Sequence, residues 1–150
     1  YGGLILTRDG PKVIEFNCRL GDPEAQVILP LLETDLVEIA QAAITGDISR
    51  VDIRWSNEAC VGVAIASGGY PVEYARGFPI SGLAKVEADV LIFHADTKAV
   101  EDGVVTDGGR VLTVVGKGKT VGDARELAYR GAQRISFEGA FYRKDIAAHL

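Results

Sequence analysis

Residues Cys60-Val61-Gly62-Val63-Ala64-Ile65-Ala66 form an unbroken run of small and apolar side chains, halted at once by Ser67-Gly68-Gly69-Tyr70-Pro71. A run of that length bounded by turn residues reads as a strand buried on both faces, so other elements must cover it. Val90-Leu91-Ile92-Phe93-His94 and Arg110–Val115 read as further strands. Lys98–Gly109, between them, reads as hairpin material with turns at Asp102-Gly103 and Asp107-Gly108-Gly109. Gly116-Lys117-Gly118-Lys119 reads as a flexible basic turn. Ala124, Leu127, Ala128, Ala132 and Ile135 then recur at helical spacing through Thr120–Ile135, with Thr120 and Asp123 in capping-box spacing. Ala140-Phe141-Tyr142-Arg143 is a final strand-like stretch.

The first third has a different pattern. Leu4–Thr7 and Lys12–Phe16 flank Arg8-Asp9-Gly10-Pro11, which predicts a β-hairpin. Gly21 permits a sharp change of direction. Asp22 is placed as an N-cap, with Pro23 at the first helical position and Glu24 in the first turn, predicting a short helix over Pro23–Leu29 that Pro30 stops. A second helix is predicted over Asp35–Thr45, with Leu36, Ile39, Ala40, Ala43 and Ile44 on one face and Gly46 as its stop. The pattern changes from helix to strand around Gly46–Arg54, so the chain divides into 1–48 and 49–150. The fold class is α+β: a β-hairpin plus helices, then a small mixed or antiparallel sheet with one covering helix.

Composition narrows the partners. With 47% hydrophobic residues the chain can bury a core, and disorder is excluded. Sixteen basic residues are scattered among twenty-one acidic ones, which argues against nucleic acid or an anionic membrane as partner. No apolar run approaches the ~20 residues of a membrane span. Cys18 and Cys60 lack metal-type or redox-type spacing, so a reducing, cytoplasmic setting is expected. The chain has no methionine and opens mid-pattern at Tyr1-Gly2-Gly3-Leu4, so it is expected to be a C-terminal piece of a longer protein.

The chemistry gathers in Lys12–Leu32. Glu15, Asn17 and Arg19 are two residues apart, so an extended segment projects all three to one face. Mg²⁺ prefers hard oxygen ligands, of which proteins often supply only one or two while phosphates and water supply the rest. A Glu15 carboxylate and an Asn17 amide oxygen meet that need, and Arg19 offers a planar fork for phosphate or carboxylate. A solvated strand end with a surface Glu–Arg contact accounts for the same three residues. Asp22 is accounted for by capping alone, and Cys18, pointing to the opposite face, by packing. His94 is accounted for by a structural hydrogen bond. Ser67-Gly68-Gly69 lacks the lysine and spacing of a P-loop and reads as a tight turn. Arg110 and Tyr142 read equally as ligand contacts or as a sheet rim.

Glu15-Phe16-Asn17-Cys18-Arg19-Leu20-Gly21-Asp22-Pro23-Glu24-Ala25-Gln26 closely resembles the signature of glycinamide ribonucleotide synthetase (phosphoribosylamine–glycine ligase), an ATP-grasp family of purine biosynthesis. Where the family commonly has Phe this chain has Leu20, and at Asp96 the family more often has Gly. Ala66–Pro71, Phe93–Lys98, Gly108–Leu112 and Phe137–Ile146 extend the resemblance over the whole chain, but only to the C-terminal part of the family enzyme. The resemblance implies that 1–48 is the end of an ATP-grasp domain and 49–150 the family's C-terminal domain. It implies a reaction in which glycine is joined to 5-phosphoribosylamine through a glycyl phosphate, with ATP cleaved to ADP and phosphate.

On that resemblance Glu15 and Asn17 are metal ligands for Mg²⁺ (or Mn²⁺), with ATP as co-substrate. Arg19 stabilises charge on the transferring phosphoryl group, and Arg19, Gly21 and Asp22 contact substrate. The expected partners are these small molecules and the N-terminal remainder of the same polypeptide, and the fragment alone is expected to be inactive. The alternatives are another ATP-grasp carboxylate–amine ligase, against which the Gly21–Glu24 segment argues, and a non-catalytic α+β binding module.

Overall fold

The longest strand is Arg110–Gly118, and the chain's packing centres on it. The computed structural model describes residues 1–149. In chain order its strands are β1 (Gly2–Thr7), β2 (Gly10–Phe16), β3 (Ala59–Ala66), β4 (Val90–His94), β5 (Thr97–Val100), β6 (Gly103–Thr106) and β7 (Arg110–Gly118). Its α-helices are α1 (Ala25–Ile28), α2 (Leu36–Thr45) and α3 (Val121–Ala132). Strand order β3-β7-β4 forms a three-stranded sheet, and β1–β2 and β5–β6 are separate hairpins; every pairing is antiparallel.

The strand buried on both faces is β7 rather than β3. Val111, Leu112, Thr113, Val114 and Val115 are all buried in succession, as the central position of β7 requires. In β3 only Val61, Val63 and Ile65 of the alternating set, with Ala66 at the end, are buried, because β3 is a sheet edge. Helix α3 covers the sheet with Ala124, Leu127, Ala128 and Ala132. Its start is the expected box: Asp123 N donates to Thr120 Oγ1 and Thr120 N to Asp123 Oδ2, each at 3.1 Å. These reciprocal bonds satisfy two amides that the helix cannot.

Gly116-Lys117-Gly118 is not a flexible turn. It is the last third of β7, pairing with Val61, Cys60 and Ala59. The glycines stand where α3 crosses the strand, and Lys117 donates to Glu58 Oε2 at 2.8 Å. That ammonium holds the Glu58 carboxyl below the usual carboxylate range. A depressed folded-state pKa stabilises above the unfolded value and is lost as pH falls through the folded one. Glu58→Gln should therefore lower stability slightly at neutral pH and shallow the acid limb of a stability-versus-pH profile by the same amount; an unaltered acid limb would contradict this pairing.

The first third is built as predicted in outline. β1 and β2 pair around Arg8-Asp9, although β2 starts at Gly10 and includes Pro11, which a two-stranded edge tolerates. Asp35 caps α2 by accepting from Val37 N at 2.7 Å, and Gly46 ends it at φ 80. The apolar face of α2, however, is not buried: Leu36 is 47% and Ile44 86% exposed. On the hairpin, Leu6 and Phe16 are 85% and 76% exposed. Apolar surface of this extent marks an interaction face rather than a solvent face. Among the described residues no helix is long and apolar enough to cross a membrane.

Candidate active site

The end of β2 fixes the first two candidates. Asn17 N donates to Tyr1 O at 2.8 Å, and Tyr1 N donates to Asn17 O at 3.0 Å, so the ladder of the hairpin continues one pair beyond the strand. Glu15 and Asn17 consequently lie side by side, with Asn17 Nδ2 donating to Glu15 Oε1 at 3.1 Å. In this arrangement the amide faces the carboxylate through its nitrogen. A half-turn of the amide exchanges nitrogen for Oδ1 and sets two oxygen donors together.

Arg19 does not join them. Extended geometry ends at Phe16, and Cys18-Arg19 is a bend, so alternation no longer decides which way a side chain points. Arg19 turns onto its own backbone and donates from Nη1 to Leu20 O at 2.8 Å. The expected single face of Glu15, Asn17 and Arg19 is thus a pair plus a separate, exposed guanidinium. For the same reason Cys18 is exposed rather than packed.

Asp22 is not a helix cap, and the predicted helix over Pro23–Leu29 is shorter. Asp22-Pro23-Glu24 is a turn, α1 spans Ala25–Ile28, and no side chain caps it; Leu29–Leu31, with Pro30, forms one 3-10 turn. The Asp22 carboxylate is used elsewhere. Its Oδ1 accepts from Gln26 Nε2 at 2.8 Å and its Oδ2 from Arg110 Nη2 at 3.2 Å, while Arg110 Nη1 donates to the Asp22 carbonyl at 2.6 Å. Gly21 is buried beneath Glu24, whose Oε1 accepts the Tyr1 hydroxyl at 2.9 Å. That carboxylate, by accepting the hydroxyl's hydrogen bond, favours the protonated phenol and raises the Tyr1 pKa.

Beside this turn lies an open cavity of about 300 Å³ whose walls include Gly21, Asp22, Gln26, Phe93 and His94. His94 has the structural partner expected of it, Thr97 Oγ1 at 3.0 Å from Nδ1. Ser67–Tyr70 is the expected tight turn, closed by Tyr70 N donating to Ser67 O at 3.0 Å. The residue that sequence reading undervalued is Arg110. It sits 88 positions from Asp22, and nothing local in the sequence pairs the two; only its place after Gly108-Gly109 set it apart.

The donor set suits a shared cation rather than a caged one. Among the described residues no cluster of three or more His, Cys, Asp or Glu side chains is arranged to hold a metal ion. Two neutral-or-anionic oxygen groups on a strand end fit Mg²⁺ or Mn²⁺ held jointly with phosphate.

Two family models divide the chain. One described as phosphoribosylglycinamide synthetase, ATP-grasp (A) domain, matches residues 1–25, and one described as phosphoribosylglycinamide synthetase, C domain, matches residues 60–149. The chain belongs to the phosphoribosylglycinamide synthetase family. A phosphoribosylamine–glycine ligase of Caldanaerobacter subterraneus is 50% identical over 148 residues, 99% of this chain and 35% of that protein. A trifunctional purine biosynthetic protein of Gallus gallus is 50% identical over 97% of this chain and 15% of its own length. The crystal structure of a phosphoribosylamine–glycine ligase from Thermotoga maritima superposes with a TM-score of 0.73 at 34% identity, covering 97% of this chain and 36% of that one. The chain therefore spans about a third of the length of these bacterial phosphoribosylglycinamide synthetases. The α+β class and the ATP-grasp affiliation stand with this family.

Proposed function

We propose that this chain forms one wall of the active site of an ATP-dependent phosphoribosylamine–glycine ligase. The observation that carries the reading is the Glu15–Asn17 pair at the end of β2, inside the segment matched by the ATP-grasp model. In the reaction a glycine carboxylate oxygen attacks the γ-phosphorus of ATP and ADP leaves. The amine of 5-phosphoribosylamine then attacks the carbonyl of glycyl phosphate, loses a proton and expels phosphate. Such transfer depends mainly on positioning and charge neutralisation.

Glu15 and Asn17 would hold the divalent cation, which supplies neutralisation of the phosphate oxygens when bound. Arg19, exposed and, among the described residues, tethered by its guanidinium only to Leu20 O, can swing onto the transferring phosphoryl group. The Gly21–Asp22 turn shapes the acceptor pocket. A carboxylate has about four lone-pair sites, so Asp22 keeps capacity for a hydroxyl or ammonium beyond Gln26 and Arg110. We place the unit boundary at 48/49, just past α2, with the exposed faces of α2 and the hairpin covered by the rest of the polypeptide. The setting is the cytoplasm.

In the full-length protein, ADP release should require glycine and 5-phosphoribosylamine together and should cease when the divalent cation is chelated. ADP release indifferent to glycine would overturn the reading.

A further inference from the structure

Arg110 reaches from the unit matched by the C domain model into the segment matched by the ATP-grasp model, and it grips one residue twice. One guanidinium nitrogen binds the Asp22 carbonyl at 2.6 Å and another binds the Asp22 carboxylate at 3.2 Å. An ordinary exposed ion pair contributes little, since two flexible side chains must be held in one geometry. Here one partner is backbone, so the contact fixes the course of the chain as well as the direction of a side chain. The Asp22 oxygen left over holds Gln26 at the start of α1.

The base of Arg110 is as firmly held as its tip. Ser67 N donates to Gly109 O at 2.8 Å, and Ser67 Oγ, fully buried, donates to Gly108 O at 2.7 Å. Asp96 N donates to the Arg110 carbonyl at 3.0 Å. A Cβ on Gly109 would run into the Tyr70 ring, 2.7 Å from Cε2, and one on Gly108 would meet the Asp96 carboxylate. The Ser67–Tyr70 turn and the Gly108-Gly109 pair thus interlock into a platform from which Arg110 starts. Neither motif has an assignment in the chemistry above.

We infer that Arg110 is a positioning residue for the acceptor side of the site: seated on this platform, it clamps the Asp22 turn and so holds the Gly21–Asp22 wall in its binding shape. The inference rests on the ligase reading. With the clamp released, the turn pays its ordering cost when acceptor binds, so the penalty falls on acceptor affinity and leaves ATP affinity nearly untouched.

The test uses the full-length ligase carrying Arg110→Ala and Arg110→Lys. In Arg110→Ala the KM for 5-phosphoribosylamine should rise about 10-fold, the low end for a hydrogen bond to a charged group, because the Arg110 and Asp22 side chains are 39% and 45% exposed. The KM for ATP should stay within about twofold, and amide exchange at Gly21–Gln26 should quicken. Arg110→Lys, which keeps the charge but lacks the planar fork, should recover only part of the acceptor KM. An unchanged acceptor KM, or equal rises for ATP and acceptor with a lowered melting temperature, would overturn the positioning role. A wild-type enzyme without glycine-dependent turnover overturns the ligase reading instead, and unchanged exchange at Gly21–Gln26 then overturns the clamp on its own.

Discussion

The full-length protein carrying Glu15→Gln should lose on the order of 10²–10³-fold in the kcat of the proposed ligase reaction, the usual consequence of removing one group that stabilises transition-state charge. The substitution keeps the size and the partner: the amide oxygen that replaces the carboxylate can still accept from Asn17 Nδ2, as Glu15 does. What disappears is the negative charge beside the phosphates. Asn17→Ala should lower activity through the other donor, and raising the Mg²⁺ concentration should recover part of that loss because affinity rather than charge is impaired. Both residues lie at a strand end with no part in the core, so melting temperatures should stay within about a degree or two of wild type. Turnover measured across a Mg²⁺ series separates the two effects. Near-normal rates in both variants at low Mg²⁺ would remove Glu15 and Asn17 from the site.

Gly116→Ala should be the most damaging small substitution for stability. A Cβ at this position would strike the Ala124 carbonyl and stand 2.6 Å from Ala128 N and 2.9 Å from Leu127 Cβ. Two of these are backbone atoms of α3, which cannot rotate away, so the helix must lift off β7. The sheet strand beneath is central, and Val114, fully buried on the face that α3 covers, would lose its cover. Overpacking typically costs about 1–3 kcal/mol and sometimes more, and here the rigid neighbours place the loss at or above about 3 kcal/mol. Chemical denaturation of the full-length protein, followed by far-ultraviolet circular dichroism, measures it. A change under about 1 kcal/mol, the low end for overpacking, would mean that α3 yields readily and does not hold the sheet as described.

Local chemistry was legible where one stretch of chain decides its own structure. The Thr120–Asp123 box, the Gly46 stop and the Asp102-Gly103 turn are short-range devices, and each stands where the residues put it. Failures came where distant chain competes. Asp22-Pro23-Glu24 has every mark of a helix start, yet Arg110, 88 positions along the chain, takes Asp22 instead. Gly116-Lys117-Gly118 has the composition of a loop, and only the close crossing of α3 makes glycine a requirement of a strand. The side-by-side placing of Glu15 and Asn17 was readable because the strand ladder reaches them; the direction of Arg19 was not, because the period of two stops at Phe16. The apolar face of α2 was legible as a face, but what covers it was not, since none of the described residues buries it.

The central claim, that the end of β2 is the cation-holding wall of a phosphoribosylamine–glycine ligase, is tested most directly by anomalous diffraction from crystals of the full-length protein grown with Mn²⁺ and ADP. A manganese peak is expected against the side-chain oxygens of Glu15 and Asn17, with the Asn17 amide turned so that Oδ1 faces the ion. A peak seated on other residues, with Asn17 still donating to Glu15, would contradict it.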